Sequence, residues 1–267
     1  MSALTFELRT EPAQRLDLSP LTPAGLAGMK PRNIQAIAIG TSRQALTVGD
    51  VFKLKGTDVA KLRFVGTDAR CDFIGQGLTE GEITVDGDAG AYLGSKMRVG
   101  TIAVSGSVGP FAGASMRGGR IDIARNAGAK AGGMAVGEAH GMRGGRLSIG
   151  GKAGALLGER MRRGLIIGRG GAGDYAAARM IAGTILVKGR IGRWAGYGLR
   201  RGSLILDKEP KELLPTFGDC GTLDFNWLRL LDLQFKANDG RFRVGYRARR
   251  LIGDMAVLGK GEMLILA

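Results

Sequence analysis

The chain has 267 residues, of which 44% are hydrophobic and 6% aromatic, and its formal net charge is +15. This length suffices for one large or two small domains, and the few aromatic residues predict a core of aliphatic side chains. Two cysteines exclude a disulfide framework, and the lack of an apolar run of about 18 residues predicts a cytoplasmic protein without a membrane segment.

Residues 1–61 are expected to form a capping segment for the structure that follows. We predict a short helix after Thr22 and Pro23, where proline suits the first helical turn. Alternating apolar residues predict a strand from Ile34 to Ile39 and another around Leu46–Val48.

Residues 62–206 carry a 19-residue repeat that follows the pattern G-x-I-x-V-x-G-x-x-G-x-x-x-G-x-x-M-R-x. The opening glycines are Gly81, Gly100, Gly119, Gly145, Gly164, Gly183 and Gly202, with one step of 26 residues. A decayed copy with Phe64, Gly75 and Leu78 in phase precedes them. A fixed period over this many copies is typical of a stacked architecture, not of a closed globular core.

Each unit opens on strict alternation, as in Gly81–Gly87, which predicts a short strand with Ile83 and Val85 facing inward. Periodic glycines then break the strand and allow backbones to approach closely. No crossover helix fits within one unit. We therefore predict an all-β fold, a right-handed parallel β-helix whose coils stack isoleucine on isoleucine and methionine on methionine.

The lengthened unit places His140, the single histidine, in an insertion spanning residues 132–141. An insertion in such a stack becomes a loop on one face. A lone histidine could act as an acid or base, but no partner is visible, so contact with another subunit is the favoured interpretation. We identify no catalytic, metal-binding or cofactor-binding residue in the chain.

Two motifs have alternative interpretations. Gly168–Gly173 matches G-x-G-x-x-G, yet its glycines fall at repeat positions without the strand–helix context of a dinucleotide site. The recurring methionines could suggest a soft-metal site, but there is one per coil with no Cys or His beside it. A core-filling role is favoured for them.

An arginine follows the methionine in most units and defines the arginine column. Its members are Arg98, Arg117, Arg143, Arg162 and Arg200. Stacked guanidinium groups repel one another unless an anion compensates them, and the arginine fork suits carboxylates and phosphates. The alternatives are a solvated edge or a site for an acidic partner. Basic residues without interleaved aromatics argue against nucleic acid.

Residues 207–267 lose the glycine phase. The stretches at 213–217 and 225–231 are apolar and not periodic. They predict a C-terminal cap, a docking surface, or both.

The repeat resembles the glycine-rich β-helix shared by the large polypeptide of glutamate synthase and by the C subunit of formylmethanofuran dehydrogenase. The lengthened unit before the run Gly141–Gly145 and the run Leu214–Phe217 after the last coil resemble the second family. The chain is identified as a member of that family. Its 27 Arg against 12 Lys resemble a GC-rich bacterial genome, which favours the bacterial branch, the formyltransferase/hydrolase complex.

The resemblance implies a non-catalytic scaffold. The bacterial complex transfers a formyl group from formyl-tetrahydromethanopterin to a methanofuran analogue and hydrolyses it to formate. The implied partners are the amidohydrolase-type A subunit, the B subunit and the formyltransferase D subunit in a hetero-oligomer, without nucleic acid or membrane. The arginine column and His140 are expected to contact an acidic face of a partner or the carrier's glutamate-rich tail. Two alternatives are the C subunit of a molybdenum or tungsten dehydrogenase and a glutamate-synthase-type β-helix.

Overall fold

A computed structural model describes residues 2–42, 45–238 and 244–267. The strands are β1 (Ala3–Leu8), β2 (Leu16–Asp17), β3 (Phe52–Lys55), β4 (Asp58–Val65), β5 (Cys71–Asp72), β6 (Glu82–Asp86), β7 (Thr101–Val104), β8 (Arg120–Ile123), β9 (Arg143–Ile149), β10 (Arg163–Gly168), β11 (Thr184–Val187), β12 (Arg201–Leu206), β13 (Gly218–Asp224), β14 (Arg247–Gly253) and β15 (Lys260–Leu266). The helices are α1 (Pro23–Leu26), α2 (Pro31–Gln35), α3 (Val48–Val51) and α4 (Asn226–Asn238).

Thirteen strands form one long sheet in the order β13-β14-β15-β12-β11-β10-β9-β8-β7-β6-β4-β1-β3. From β4 to β12 the neighbours pair in parallel, one coil apart. Their register places the repeat's first apolar residues opposite one another, through Ile83, Ile102, Ile121, Leu147, Ile166, Ile185 and Leu204. A second side is formed by parallel bridges between Ala89, Val108, Ala127, Ala153, Ala172 and Ile191. The predicted parallel β-helix is confirmed.

The methionine that closes each coil fills the interior. Met97, Met116, Met142, Met161 and Met180 are fully buried. Each methyl group lies too close to the opening glycine of a neighbouring coil for that residue to carry a Cβ. Met161 Cε, for example, is 2.9 Å from the position that a Cβ on Gly183 would take. The glycine makes room for the methionine, so their shared period has a packing cause. The methionine column is part of the hydrophobic core.

Both flanks end the stack with antiparallel strands. At the first end β1 pairs in parallel with β4 and antiparallel with β3. Phe6 stacks on Phe64 at 4.9 Å between ring centroids, and Phe52 meets both rings edge-on. This aromatic cluster covers the apolar end of the first coil, which would otherwise face water.

Two strand predictions in the first segment are wrong, whereas the short helix after Thr22 is confirmed as α1. Residues 31–35 form α2, with Pro31 in its first turn, and only isolated bridges occur at Ala38 and Gly40. Around 46–48 the chain enters α3, because Thr47 and Asp50 form a capping box. The capping box at α3 and the proline in the first turn of α2 outweighed the alternating apolar pattern.

The last segment adds three strands to the sheet and a helix on its outer face. β15 pairs in parallel with β12, and β14 and β13 continue the sheet antiparallel. Helix α4 lies on the outer sheet face, where Leu228 packs with Ile167, Leu186 and Ile205. No helix in the described parts of the chain is long and apolar enough to cross a membrane. The division at 61/62 and 206/207 stays a prediction.

The two cysteines differ in environment. Cys71 is buried, and this burial raises the pKa of its thiol to about 11, whereas Cys220 is exposed. Because the thiolate is the reactive species, we expect the native protein at pH 8 to react rapidly with Ellman's reagent at one thiol and at two after unfolding in urea. A Cys220→Ser variant should lose the rapid phase. Rapid reaction of two thiols in the native state would contradict the burial of Cys71.

Candidate partner-binding site

The arginine column lies along one corner of the stack. The backbone N–H groups of Arg117, Arg143 and Arg162 donate to the carbonyl oxygens of Met97, Met116 and Met142 in the preceding coils. Arg98 and Arg200 are placed in the same way. Four of the five side chains are exposed, and that of Arg143 is half-buried. The column therefore presents a line of positive charge to the surface.

Arg143 differs from the rest because an acidic residue of the same chain holds it. Its Nη2 lies 2.8 Å from Glu138 Oε2, and Lys96 Nζ lies 3.2 Å from Glu138 Oε1. The hydrogen bond from Lys96 and the charges of Lys96 and Arg143 lower the pKa of the Glu138 carboxyl. Glu138 belongs to the insertion, so this ion-pair cluster fastens the insertion to the column.

Backbone contacts fix the position of His140 in the insertion. The Ser115 hydroxyl donates to the His140 carbonyl at 2.8 Å and accepts from the Ala135 N–H at 3.1 Å. The next residue, Gly141, donates to the carbonyl of Arg160. The His140 Nδ1 atom is buried without a hydrogen-bond partner among the described residues. The insertion is thus bound to the coils on both sides of it.

A cavity of about 440 Å³, the basic cavity, brings His140 and Arg200 together. Its wall contains two arginines that were not predicted, Arg160 and Arg179. Arg160 and Arg179 occupy equivalent turns one coil apart, each in the left-handed region with φ of 52° and 53°. Since both residues share this turn conformation, their Cα–Cβ bonds leave the backbone in the same direction. Arg98, Arg117, Arg143 and Arg162 do not line the cavity.

The side of the basic cavity formed by Asp254, Ala256 and Val257 is held by hydrogen bonds. Asp254 is buried and accepts hydrogen bonds from the Gly198 N–H at 3.0 Å and the Ala256 N–H at 2.9 Å. Burial alone would raise the pKa of Asp254, but the hydrogen bonds outweigh it and lower that pKa. This carboxylate is committed to the backbone and shapes the turn that borders the arginines.

Arg179 is the cavity arginine with a defined orientation. Its Nη1 lies 3.7 Å from Glu159 Oε1, and its guanidinium carbon lies 5.9 Å from the Tyr197 ring centroid. Glu159 is also 3.3 Å from Lys130 Nζ, so one carboxylate serves two cations. The local charge balance stays positive, which suits an anionic group arriving from outside.

The G-x-G-x-x-G motif lies between two stacked sides of the coil. Gly168 ends β10, and Ala172 forms bridges with Ala153 and Ile191. A Cβ on Gly173 would lie 2.7 Å from the Ala155 nitrogen in the coil beneath. Close stacking of backbones accounts for these glycines. The described residues also contain no group of three His, Cys, Asp or Glu side chains arranged to hold a metal ion.

The missed arginines had a signal in the repeat. Arg160 and Arg179 immediately precede the closing methionines, at the position that Lys96 and Ser115 occupy in earlier coils. The sequence shows only that this position precedes a buried methionine. The structure shows that Arg160 and Arg179 line the same cavity as His140 of the insertion.

The fold and this surface define a glycine-rich parallel β-helix with a basic face. The GXGXG motif family matches residues 38–216. The C subunit of the formyltransferase/hydrolase complex Fhc from Methylorubrum extorquens is 48% identical over 98% of this chain and 99% of its own length. The C subunit of the tungsten-containing formylmethanofuran dehydrogenase 2 from Methanococcus maripaludis is 31% identical over 35% of each chain.

A solved structure agrees with the sequence matches. The crystal structure of the FhcABCD complex from Methylorubrum extorquens with methylofuran contains a chain that is 45% identical, with a TM-score of 0.89. The match covers 98% of this chain and 99% of that one. The chain belongs to the family formed by the C subunits of formyltransferase/hydrolase complexes, which confirms the resemblance seen in the repeat.

Proposed function

We propose that this chain is the non-catalytic, structural C subunit of a formyltransferase/hydrolase complex. The observation that carries the proposal is the end-to-end match to the C subunit of Fhc, with 48% identity and both flanks included. The dehydrogenase relative matches over 35% of the chain, which favours the bacterial complex over the archaeal enzyme. The complex is expected to move a formyl group between its carriers and release formate.

A scaffold role is supported by how the side chains are used. Stacked apolar residues and glycines fill the coils, and the cavity carboxylate Asp254 is bound by backbone N–H groups. General acid–base catalysis needs a positioned proton donor and acceptor, and His140 has no hydrogen-bonded acid among the described residues. We place the formyl-transfer chemistry in the partner subunits.

The surface supports assembly with the A, B and D subunits. Trp227, Leu230 and Leu233 are exposed on the outer face of α4, and Leu230 has 69% of its surface accessible. Apolar side chains grouped on a surface mark interaction sites. The solved relative is a complex with methylofuran, and we assign such a carrier to the assembly and no cofactor to this chain. A cytoplasmic location stays a prediction.

Omission of the chain tests the scaffold role. The three partner subunits of its host are co-expressed with and without this chain, and assembly is followed by size-exclusion chromatography. The complete complex should form with the chain and fall to a small fraction without it, and the chain alone should show no formyl transfer. Full assembly without the chain would contradict a scaffold function.

The exposed arginines give a prediction for assembly. We expect the triple variant Arg98→Ser/Arg117→Ser/Arg162→Ser to bind its partners about tenfold more weakly, because each lost exposed ion pair contributes roughly 0.5 kcal/mol. Alternatively, it should raise the apparent KM for the carrier if the column contacts the carrier's acidic tail. Titration of the remaining subunits and steady-state kinetics separate the two results.

The matched control removes the same charge elsewhere. Arg125, Lys152 and Arg190 are exposed and lie outside the arginine column. Their triple serine variant should assemble and turn over as the wild type does. If both triple variants keep wild-type values, the column is a solvated edge.

A further inference from the structure

We propose that the basic cavity is a socket for an acidic segment of a partner protein in the complex. In this arrangement one carboxylate side chain enters between Arg160, Arg179 and Arg200, and apolar neighbours on the same segment cover the turn at 255–258. The inference rests on the proposed function, since it takes the chain to be part of a complex. The partner is defined by its chemistry, an Asp or Glu flanked by apolar residues.

The cavity concentrates positive charge. Three guanidinium groups border one cavity, and in the described parts of the chain no ion pair links Arg160 or Arg200 to a carboxylate. Asp254 and Glu159 offset only part of the positive charge, because these two carboxylates face the three arginines and Lys130. Like charges gathered at one opening are stabilised by an incoming anion, and arginine binds carboxylates in a forked geometry.

The cavity also has the size and walls of a binding site. Its volume of about 440 Å³ lies within the range of roughly 300–1,000 Å³ found for ligand sites. The walls come from separate parts of the fold: the insertion at His140, the turns at Arg160 and Arg179, and the C-terminal turn after Asp254. Each wall is fixed by backbone hydrogen bonds, so little ordering is needed when a group enters.

The rim of the cavity identifies a polypeptide as the occupant. Val257 lines the cavity, and it and its chain neighbours Met255 and Leu258 are exposed, with 57% of the Met255 surface accessible. The turn is tight, because the N–H groups of Val257 and Gly259 both donate to the Asp254 carbonyl. Arginine and methionine are both enriched at protein–protein interfaces relative to the rest of the surface. A small free anion would leave this apolar rim uncovered.

The test uses the complete complex with the double variant Arg160→Gln/Arg179→Gln. Glutamine is shorter but keeps an unbranched polar side chain without the charge, so the turns are expected to fold. We expect the Kd for assembly to rise at least about tenfold in the variant. The Kd of the variant should also depend less on salt concentration than that of the wild type, because a charge-assisted contact is lost. The matched control is Arg125→Gln/Arg190→Gln, which should assemble normally.

A photo-crosslinking residue at Val257 identifies the occupant. We expect cross-links to a peptide of a partner protein that contains an Asp or Glu beside apolar residues. Cross-links confined to this chain, or a double variant that assembles with wild-type affinity, would overturn the proposal. So would a double variant that raises only the KM for the carrier, since the occupant would then be the carrier. If the wild-type chain itself finds no partner, the proposed function fails instead.

Discussion

The Gly128→Ala variant is expected to unfold with a free energy about 3 kcal/mol below that of the wild type. The added Cβ would lie 2.6 Å from the Pro110 nitrogen and 2.7 Å from the Gly109 carbonyl carbon of the coil beneath. Both contacts are with backbone, which cannot move aside without separating two coils. Gly128 has no left-handed φ, so the cost is steric and not conformational. Equivalent contacts recur at Gly109, Gly154 and Gly173.

Equilibrium unfolding in urea, followed by circular dichroism, measures this difference. The control is Gly218→Ala, since Gly218 is exposed and a Cβ there has its first neighbour 4.0 Å away. The control should change stability by less than about 0.5 kcal/mol. If both alanine variants unfold at the same urea concentration, the coils are not stacked backbone on backbone at Gly128.

The second large effect is expected from Met161→Ala, which should lower the free energy of unfolding by about 3 kcal/mol. Met161 is fully buried, and its methyl group fills the space left by the missing side chain of Gly183. Truncation removes those contacts and leaves a cavity between two coils. The rigid glycine turn above it, with φ of 109° at Gly183, restricts how far the cavity can collapse.

Two further variants separate packing from metal binding. Met161→Leu keeps the volume and removes the sulfur, so it should cost less than about 1.5 kcal/mol if the methionine only packs. Met255→Ala, at an exposed methionine, should be close to neutral. A Met161→Leu variant as unstable as Met161→Ala would show that the sulfur itself matters.

The repeat made the stack predictable because one periodic pattern satisfies several requirements at once. Ile83, Val85 and Met97 mark the inward positions of a coil, and the glycines between them mark the close approaches. The short segments outside the repeat were not predictable in the same way. At Thr47 a capping box with Asp50 competes with an alternating pattern, and four residues are too few for periodicity to decide.

Strand β15 was not predicted, because it lies far from the repeat in the sequence. Gly261-Glu262-Met263-Leu264 repeats the opening of a coil and pairs with Gly202–Ile205 of β12, but 59 residues separate Gly202 from Gly261. Strands β13 and β14 and helix α4 occupy that interval, so the fixed period no longer identifies the strand. Long-range pairing of this kind is set by burial of the stack's end.

The candidate site was predictable in part. Sequence singled out His140 as the exception to the repeat and Arg200 as a member of the arginine column, and the structure brings the two to one cavity. Arg143 was expected to face a partner, yet Glu138 of the insertion already binds it. Arg160 and Arg179 were missed because their direction depends on the left-handed turn and on the insertion beside it.

Native mass spectrometry of the complex purified from its host through a tag on this chain tests the central claim most directly. We expect one assembly that contains this chain together with the formyltransferase, amidohydrolase-type and B subunits, and that dissociates into these masses on activation. Co-purification of a flavin- and iron–sulfur-containing partner, or of a molybdenum- or tungsten-containing one, would contradict it.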